Sequence, residues 1–477
     1  MKPAADLAVI GGGLAGVEAA WQAAQRGYRV AVLEMRPQLM TPAHRTADLA
    51  ELVCSNSLRS NQLTNAVGLL KEEMRRLGSL VMDWAERTAV PAGAALAVDR
   101  EAFAAGITAA LASHPMVEIV RREVTELPGD PGDLAHGAGV CVLASGPLTS
   151  ELLAASLAEF TGIEHLYFYD AVAPVVEAET IDRSRVFPAS RYEKGDPEGY
   201  LNCPLSREEY DAFYEALVGA EAHPRRSFDK AIFFEGCLPV EEIARRGRHA
   251  LRFGSMKPVG LVDPGTGRRP WAVVQLRPEN TLKTLYNLVG FQTNLKWGEQ
   301  RRVFSLIPGL EKAAFARYGV MHRNTFIDSP RLLKATLQFR GRDKVLAGGQ
   351  LTGVEGYVES AATGLVAGLN GARILAGLSP LVFPAATAVG SLCAHVSGGG
   401  ADKTGGAGAA DGAQGTGRLR RVAFQPMNAN YGLLPPLENL VRDRRERNLY
   451  LSERALKALD DFIKDHVLDL APVTWRR

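Results

Sequence analysis

A chain of 477 residues is longer than one ordinary domain, so two or three are expected. Its 46% hydrophobic and 23% charged residues are those of a globular soluble protein, and no apolar run approaches the length of a membrane helix. The formal net charge of +2 hides a local asymmetry.

The chain opens on an apolar run, Leu7 to Ile10, that enters GGGLAG. Gly11, Gly13 and Gly16 fit G-x-G-x-x-G, a helical pattern follows, and a second apolar run, Val30 to Leu33, ends in Glu34. This order predicts a Rossmann-type βαβ unit. Gly11 allows the tight turn, Gly13 lets backbone approach a pyrophosphate, and Gly16 lets helix and strand pack closely. The turn residues Gly11, Gly12, Gly13, Leu14, Ala15 and Gly16 are therefore candidate cofactor contacts, and Glu34 can accept from a ribose hydroxyl. With this unit at the start there is no room for a signal peptide. The five cysteines, Cys54, Cys141, Cys203, Cys237 and Cys393, are widely spaced and show no C-x-x-C or zinc spacing. Reduced thiols in a cytoplasmic protein are expected.

Next comes a polar loop, ELVCSNSLRSN, which carries Cys54. Such loops reach toward the cofactor. Helices are expected over Val67–Ala85 and Arg100–Ala112. Val140 to Gly146, VCVLASG, reads as a strand with a small-residue turn, which makes Cys141 a core residue. From about Tyr167 short strand-like runs appear (Ala171–Val176, Ala231–Phe234, Trp271–Leu276, Leu288–Gln292), with one helix near Ser206–Val218. This texture predicts a separate α+β domain inserted into the nucleotide domain. Cys237, in FFEGCLP, sits where a strand ends in a turn. For both Cys54 and Cys237, a nucleophile and a small buried residue are open readings.

From Glu241 to Arg302 there are twelve Lys/Arg against five Asp/Glu, a surplus of +7. That is a candidate polyanion surface, with Arg245, Arg246, Arg268 and Arg269 as candidate RNA contacts; a solvated face with ion pairs is the alternative. Trp297, in NLKWGEQ, reads first as a core residue and second as a stacking surface.

Lys344–Ala347 leads into a second glycine junction, GGQLTGVEGYVES, where Gly348, Gly349 and Gln350 are further candidate cofactor contacts. Two such junctions bracketing one ligand suit FAD better than NAD. No second G-x-G-x-x-G lies in a βαβ setting. Ser397–Gly417 is low-complexity and reads as a flexible linker. RVAFQPMNANYGLLPP looks like a segment docking back, and a charged helix, about Leu437–Leu468, follows. The whole reads as an α/β chain: a Rossmann-type FAD-binding domain (1–165 and 323–395) with an inserted α+β domain (166–322), a linker (396–418) and a C-terminal docking segment with helix (419–477).

Six stretches, GGGLAG, ELVCSNSLRS, FFEGCLPVEE, MKPVGL, LVGFQTNLKWGEQ and GGQLTGVEGYVES, together resemble the folate- and FAD-dependent tRNA (uracil-5-)-methyltransferase family, TrmFO. The likeness covers most of residues 6 to 395 and the RVAFQPMNANYGLLPP segment. Ser255 stands where the family pattern has proline, and the glycine-rich stretch is longer than the pattern needs.

The resemblance implies methylation of the T-loop uridine (position 54) of tRNA. Carbon would come from 5,10-methylenetetrahydrofolate by way of the flavin, and reducing equivalents from NAD(P)H. It gives Cys237 the role of thiolate adding to uracil C6. Cys54 it places beside the flavin, either as acid/base or as a guard of the flavin-carried methylene. Two other classes compete: another tRNA-modifying or thiol-redox flavoenzyme, and a non-catalytic RNA-binding flavoprotein.

Overall fold

The computed structural model describes residues 5–127, 138–162, 166–171, 173–193, 199–223, 238–279, 283–319, 321–398, 424 and 426–466. Cys237, the expected strand Ala231–Phe234 and nearly all of the low-complexity stretch lie outside them.

Two six-stranded sheets organise the chain. The first has the order Gln338–Phe339, Arg342–Ala347, Val140–Leu143, Leu7–Ile10, Val30–Glu34 and Val117–Arg121. It is parallel except for its first pair. Its inner strands, LAVI and VCVL, are buried on both faces, which is why they read as unbroken apolar runs. The order reverses direction between Leu7–Ile10 and Val140–Leu143, and the crevice beyond these strand ends is where doubly wound sheets bind ligands.

Two helices, Leu14–Ala24 and Tyr357–Leu375, cross in close contact over this sheet. A Cβ on Gly364 would lie 2.1 Å from the Ala15 carbonyl oxygen, and one on Gly368 would lie 2.3 Å from that of Ala19. The crossing is backbone against backbone, and only glycine permits it.

The second sheet is antiparallel throughout, in the order Phe187–Pro188, Leu201–Leu205, Ala272–Pro278, Leu285–Leu288, Val175–Glu177 and Phe315–Arg317. It has its own core, with Tyr210, Phe213, Phe291 and Phe304 buried behind it. A ribbon of Leu166–Ala171 with Met321–Phe326 joins the two sheets. The C-terminal stretch packs back on the first body: Met427 N–H donates to Gly353 O and Glu355 N–H to Met427 O.

Some expected elements differ in extent. The helix expected over Val67–Ala85 is two helices, Ala66–Arg76 and Leu80–Arg87. Gly78 (φ +73°) breaks the run, and Ser79 caps the second helix by accepting from Met82 N–H. The helix Arg100–Ala112 stands as expected, capped by Asp99. The last helix is shorter, Arg444–Asp465, because Asp443 caps it by accepting from Glu446 N–H (2.8 Å). The runs around 171–176 and 288–292 resolve into Leu166–Ala171, Val175–Glu177 and Leu285–Leu288. No described helix is long and apolar enough to cross a membrane.

Candidate active site

The glycine turn occupies the crevice at the switch point. Gly11 has φ +104°, and a Cβ there would sit 2.4 Å from Ala144 O on the neighbouring strand's turn. A Cβ on Gly16 would lie 1.9 Å from Gly11 O. Gly13 differs: a Cβ there would meet nothing within 4 Å. The space it leaves is open crevice, as a pyrophosphate approach requires.

The second junction abuts the first. Gly349 (φ +80°) would place a Cβ 2.9 Å from Ala15, Gly348 packs on Gly364, and Gln350 donates to Glu355 (3.1 Å). No side chain caps the first turn of Leu14–Ala24 or of Tyr357–Leu375, so both helix ends keep donors for a ligand. The open space at Gly13, the paired junctions and the two uncapped helix ends fit a dinucleotide such as FAD.

Glu34 lines this crevice and is already engaged. It accepts from Gly12 N–H (2.8 Å), from Arg36 N–H (3.0 Å) and from Arg36 Nε (2.8 Å). Burial alone would raise its pKa, but Arg36 and the Gly12 N–H hold it below the ordinary value. It is ionised and keeps about one acceptor position for a ribose hydroxyl.

Cys54 is half-buried in the loop before the strand Ser57–Ser60. The Tyr357 hydroxyl, at the start of the long helix, accepts from Cys54 N–H (2.6 Å) and Ser55 N–H (3.3 Å). Burial, then the neighbouring thiol, pushes the Tyr357 phenol far up, so it stays protonated. Two residues on, Glu359 is fully buried and forms an ion pair with Arg59, while also accepting from Ala429 N–H (2.8 Å). Lys71 is buried below the same strand and donates to the carbonyls of Leu58 (2.8 Å) and Arg59 (3.0 Å). The long helix and its neighbours thus hold both ends of the Cys54 loop.

The inserted sheet grips the loop from the other side. Asn56 donates to Pro278 O (2.8 Å) and accepts from Arg277 Nε (2.9 Å). Arg100 joins Leu52 O (2.8 Å) to the Glu279 carboxylate (2.5 Å). Arg317 lies within electrostatic reach of both Arg100 and the Cys54 thiol. Burial, then Arg100, pulls its guanidinium down to about 10, which leaves it charged at neutral pH. Its Nε and Nη2 have no hydrogen-bond partner among the described residues. A cavity of about 170 Å³ opens here, lined among others by Arg45, Glu51, Arg100, Glu279 and Arg317. A half-buried thiol within electrostatic reach of an unsatisfied guanidinium is in the kind of electropositive setting that reactive cysteines occupy.

Cys141, Cys203 and Cys393 are buried, and burial pushes the Cys141 and Cys393 thiols up to about 12. Cys237 lies outside the described residues, but its neighbour Leu238 is buried and Val240 N–H donates to Gln292 O (2.7 Å).

Arg245, Arg246, Arg268 and Arg269 are all exposed. Part of the local surplus of cations is answered nearby, by Arg245–Glu242, Arg248–Asp211, Lys296–Glu221 and Arg302–Glu299. Lys257, Arg268, Arg269 and Arg301 are exposed with no ion pair among the described residues. The expectation of a core Trp297 is corrected: its side chain is 59% exposed, because it opens the helix Trp297–Phe304 on the solvent side.

Sequence reading assigned no role to Arg59, Arg100, Arg277, Glu279, Arg317, Tyr357 or Glu359. Tyr357 and Glu359 stand inside the quoted GGQLTGVEGYVES motif. Arg277 and Glu279 end an otherwise apolar strand, which is a signal in itself.

The chain matches the family model "Glucose inhibited division protein A" over residues 6–379. It is 59% identical over 452 residues to the methylenetetrahydrofolate--tRNA-(uracil-5-)-methyltransferase TrmFO of Desulforudis audaxviator (strain MP104C), covering 94% of this chain and 96% of that one. It is 58% identical over 464 residues to the protein of the same name from Symbiobacterium thermophilum, covering 97% and 98%. Among solved structures, GidA of Aquifex aeolicus (form II crystal) superposes with a TM-score of 0.68 at 16% identity, over 98% of this chain and 74% of that one, a likeness of fold.

Proposed function

The chain belongs to the TrmFO family, and on that premise we propose that it transfers the one-carbon unit of 5,10-methylenetetrahydrofolate to C5 of the T-loop uridine (position 54) of tRNA. The observation that carries this reading is the Cys54 loop, held by Tyr357 beside a dinucleotide crevice on one side and a guanidinium-lined cavity on the other.

When bound, FAD supplies the two-electron reducing power of the reaction. The Gly11–Gly16 turn and the uncapped helix behind it would hold its pyrophosphate, Glu34 would hold its ribose, and Gly348, Gly349 and Gln350 would contact it from the second junction. Uracil C5 is a weak nucleophile. The Cys237 thiolate adds to C6 and pushes electron density onto C5, which then takes the carbon unit. Loss of the C5 proton expels the carrier nitrogen and leaves an exocyclic methylene at C5; the two electrons and proton that the cofactor would supply turn it into methyl as the C6–S bond breaks and the thiolate is restored. Cys54 acts on the cofactor side, either moving a proton or guarding the carbon unit carried there. NAD(P)H is the reductant, and the protein works in the cytoplasm.

The test is direct. Purified protein with FAD, NADH or NADPH and carbon-labelled methylenetetrahydrofolate should place label in ribothymidine of a tRNA transcript. A yellow protein that binds tRNA yet transfers no label would mark it as a non-catalytic RNA-binding flavoprotein.

A further inference from the structure

Trp297 is the outer member of a stack of three aromatic rings. Its indole lies face to face with Tyr318, centroids 5.8 Å apart and planes 13° from parallel. Tyr318 stacks in turn on Phe315 at 5.3 Å and 12°. The stack is braced from inside. Gln300, fully buried on the helix that Trp297 opens, accepts from Gly319 N–H and donates to Gly319 O, both at 2.8 Å. It also donates to Leu295 O at 2.7 Å. These bonds tie the Tyr318 turn to the Trp297 helix, so the indole is held in place although 59% of it is exposed.

One uncommitted cation adjoins it: Arg301, on the same helix, has no ion pair among the described residues, whereas Lys296 and Arg302 are paired with Glu221 and Glu299. Trp297 lines neither the glycine crevice nor the arginine-lined cavity. Small ligands such as a pterin are taken up in concave sites, where most of their surface is buried. A braced, exposed ring with an uncommitted arginine beside it suits an unpaired base presented by a large polyanion, since every base has a face to stack and a phosphate to answer the arginine.

The placement supports the same partner. Lys296 N–H donates to Glu221 O (3.0 Å), and His223 N–H donates to Asn294 O (2.9 Å). The stack therefore stands beside His223, and Asn294 N–H, three residues before Trp297, donates to the Glu241 carboxylate (2.8 Å), on the helix that follows Leu238.

We propose that Trp297 is a stacking platform for an unpaired base of the tRNA, extending the Trp297–Tyr318–Phe315 column by one ring. This rests on the tRNA-methyltransferase reading above. The experiment measures tRNA affinity against salt concentration for wild type, Trp297→Ala and Trp297→Phe, all carrying FAD. Loss of one base stack weakens binding by roughly 5- to 150-fold. Trp297→Ala should show such a loss, Trp297→Phe should recover most of it, and the salt slope should not change, because no phosphate contact is removed.

A T-arm minihelix with abasic loop positions should bind wild type as weakly as the Ala variant binds the intact arm, with no further loss when the two changes are combined. Affinity within twofold of wild type in a flavin-replete Ala variant overturns the platform. So does a raised KM for methylenetetrahydrofolate at unchanged tRNA affinity, which would make the ring a pterin contact. A concentration-dependent dimer that Trp297→Ala dissolves would make it a contact between copies, and also overturns it. If wild-type protein binds no tRNA, the family-based reading fails and this inference fails with it.

Discussion

The two sheets build their halves of the site by different means. In the nucleotide body, backbone meets backbone: Gly16 on Gly11, Gly364 on Ala15, Gly368 on Ala19, with no room for a Cβ. In the insert, side chains reach across: Arg277 to Asn56 and Glu279 to Arg100. A backbone contact admits one residue type and fails outright when that is changed. A side-chain contact can be shortened, neutralised or lengthened, and its effects are graded. The first half is built to hold a fixed ligand, the second to adjust to a reacting one.

The sharpest way to break this contrast lies inside the glycine turn. Gly16→Val should not yield folded protein, because the new side chain lands on the Gly11 carbonyl. Gly13→Val should fold, since its Cβ has open space, but should not retain FAD. Far-UV circular dichroism and flavin absorbance separate the two outcomes. A flavin-replete Gly13→Val would refute the pyrophosphate assignment.

The next effect concerns chemistry without loss of cofactor. Cys54→Ala should keep FAD and lose methyl transfer by roughly 100-fold or more. It should still form a covalent adduct with tRNA containing 5-fluorouracil, visible on a denaturing gel. Cys237→Ala should form none. Adduct formation by Cys237→Ala at the wild-type level would assign the attack on C6 to another group.

A smaller loss is expected where the halves meet. Arg100→Met leaves the buried Glu279 carboxylate without its cation, and breaking such a pair costs about 3–5 kcal/mol. Urea unfolding should show it. Arg100→Met combined with Glu279→Leu should recover much of that loss, as side-chain joints allow and the glycine joints do not.

The smallest effect belongs to the outer surface. Arg268→Ala with Arg269→Ala should lower tRNA affinity several-fold and flatten its salt slope by up to about 0.9 per lost phosphate contact. Arg245→Ala should do less, because Glu242 already holds that guanidinium. Equal slopes across all variants would move the RNA surface away from these residues.

The same contrast decides what could be read without a structure. The body was legible because close backbone approach writes itself as glycine at fixed spacing, and strands buried on both faces write themselves as apolar runs. Gly78 was the exception, since it interrupts a continuous helical pattern at a single position. The clamp on Cys54 was not legible. Arg100 and Glu279 lie 179 positions apart, and Asn56 and Arg277 lie 221 apart. The charges that close the apolar strand mark Arg277 and Glu279, but nothing local names their partners, because the partners meet only after the insert folds against the body. Trp297 was read as core since tryptophan is usually buried on average, and only the placement of its helix puts the ring outside.

The first sheet draws strands from residues 7–34, 117–143 and 338–347, so it crosses most of the chain. During synthesis its opening strands leave the ribosome long before their partners at 342–347 exist, and Ala429, which completes the bonding of Glu359, emerges later still. The insert, whose sheet runs from 175 to 317, is made in one stretch between them. Cofactor capture is therefore among the last events in the making of this protein. Chains made in flavin-starved cells should therefore show, on limited proteolysis, an insert that resists cutting and a body that does not.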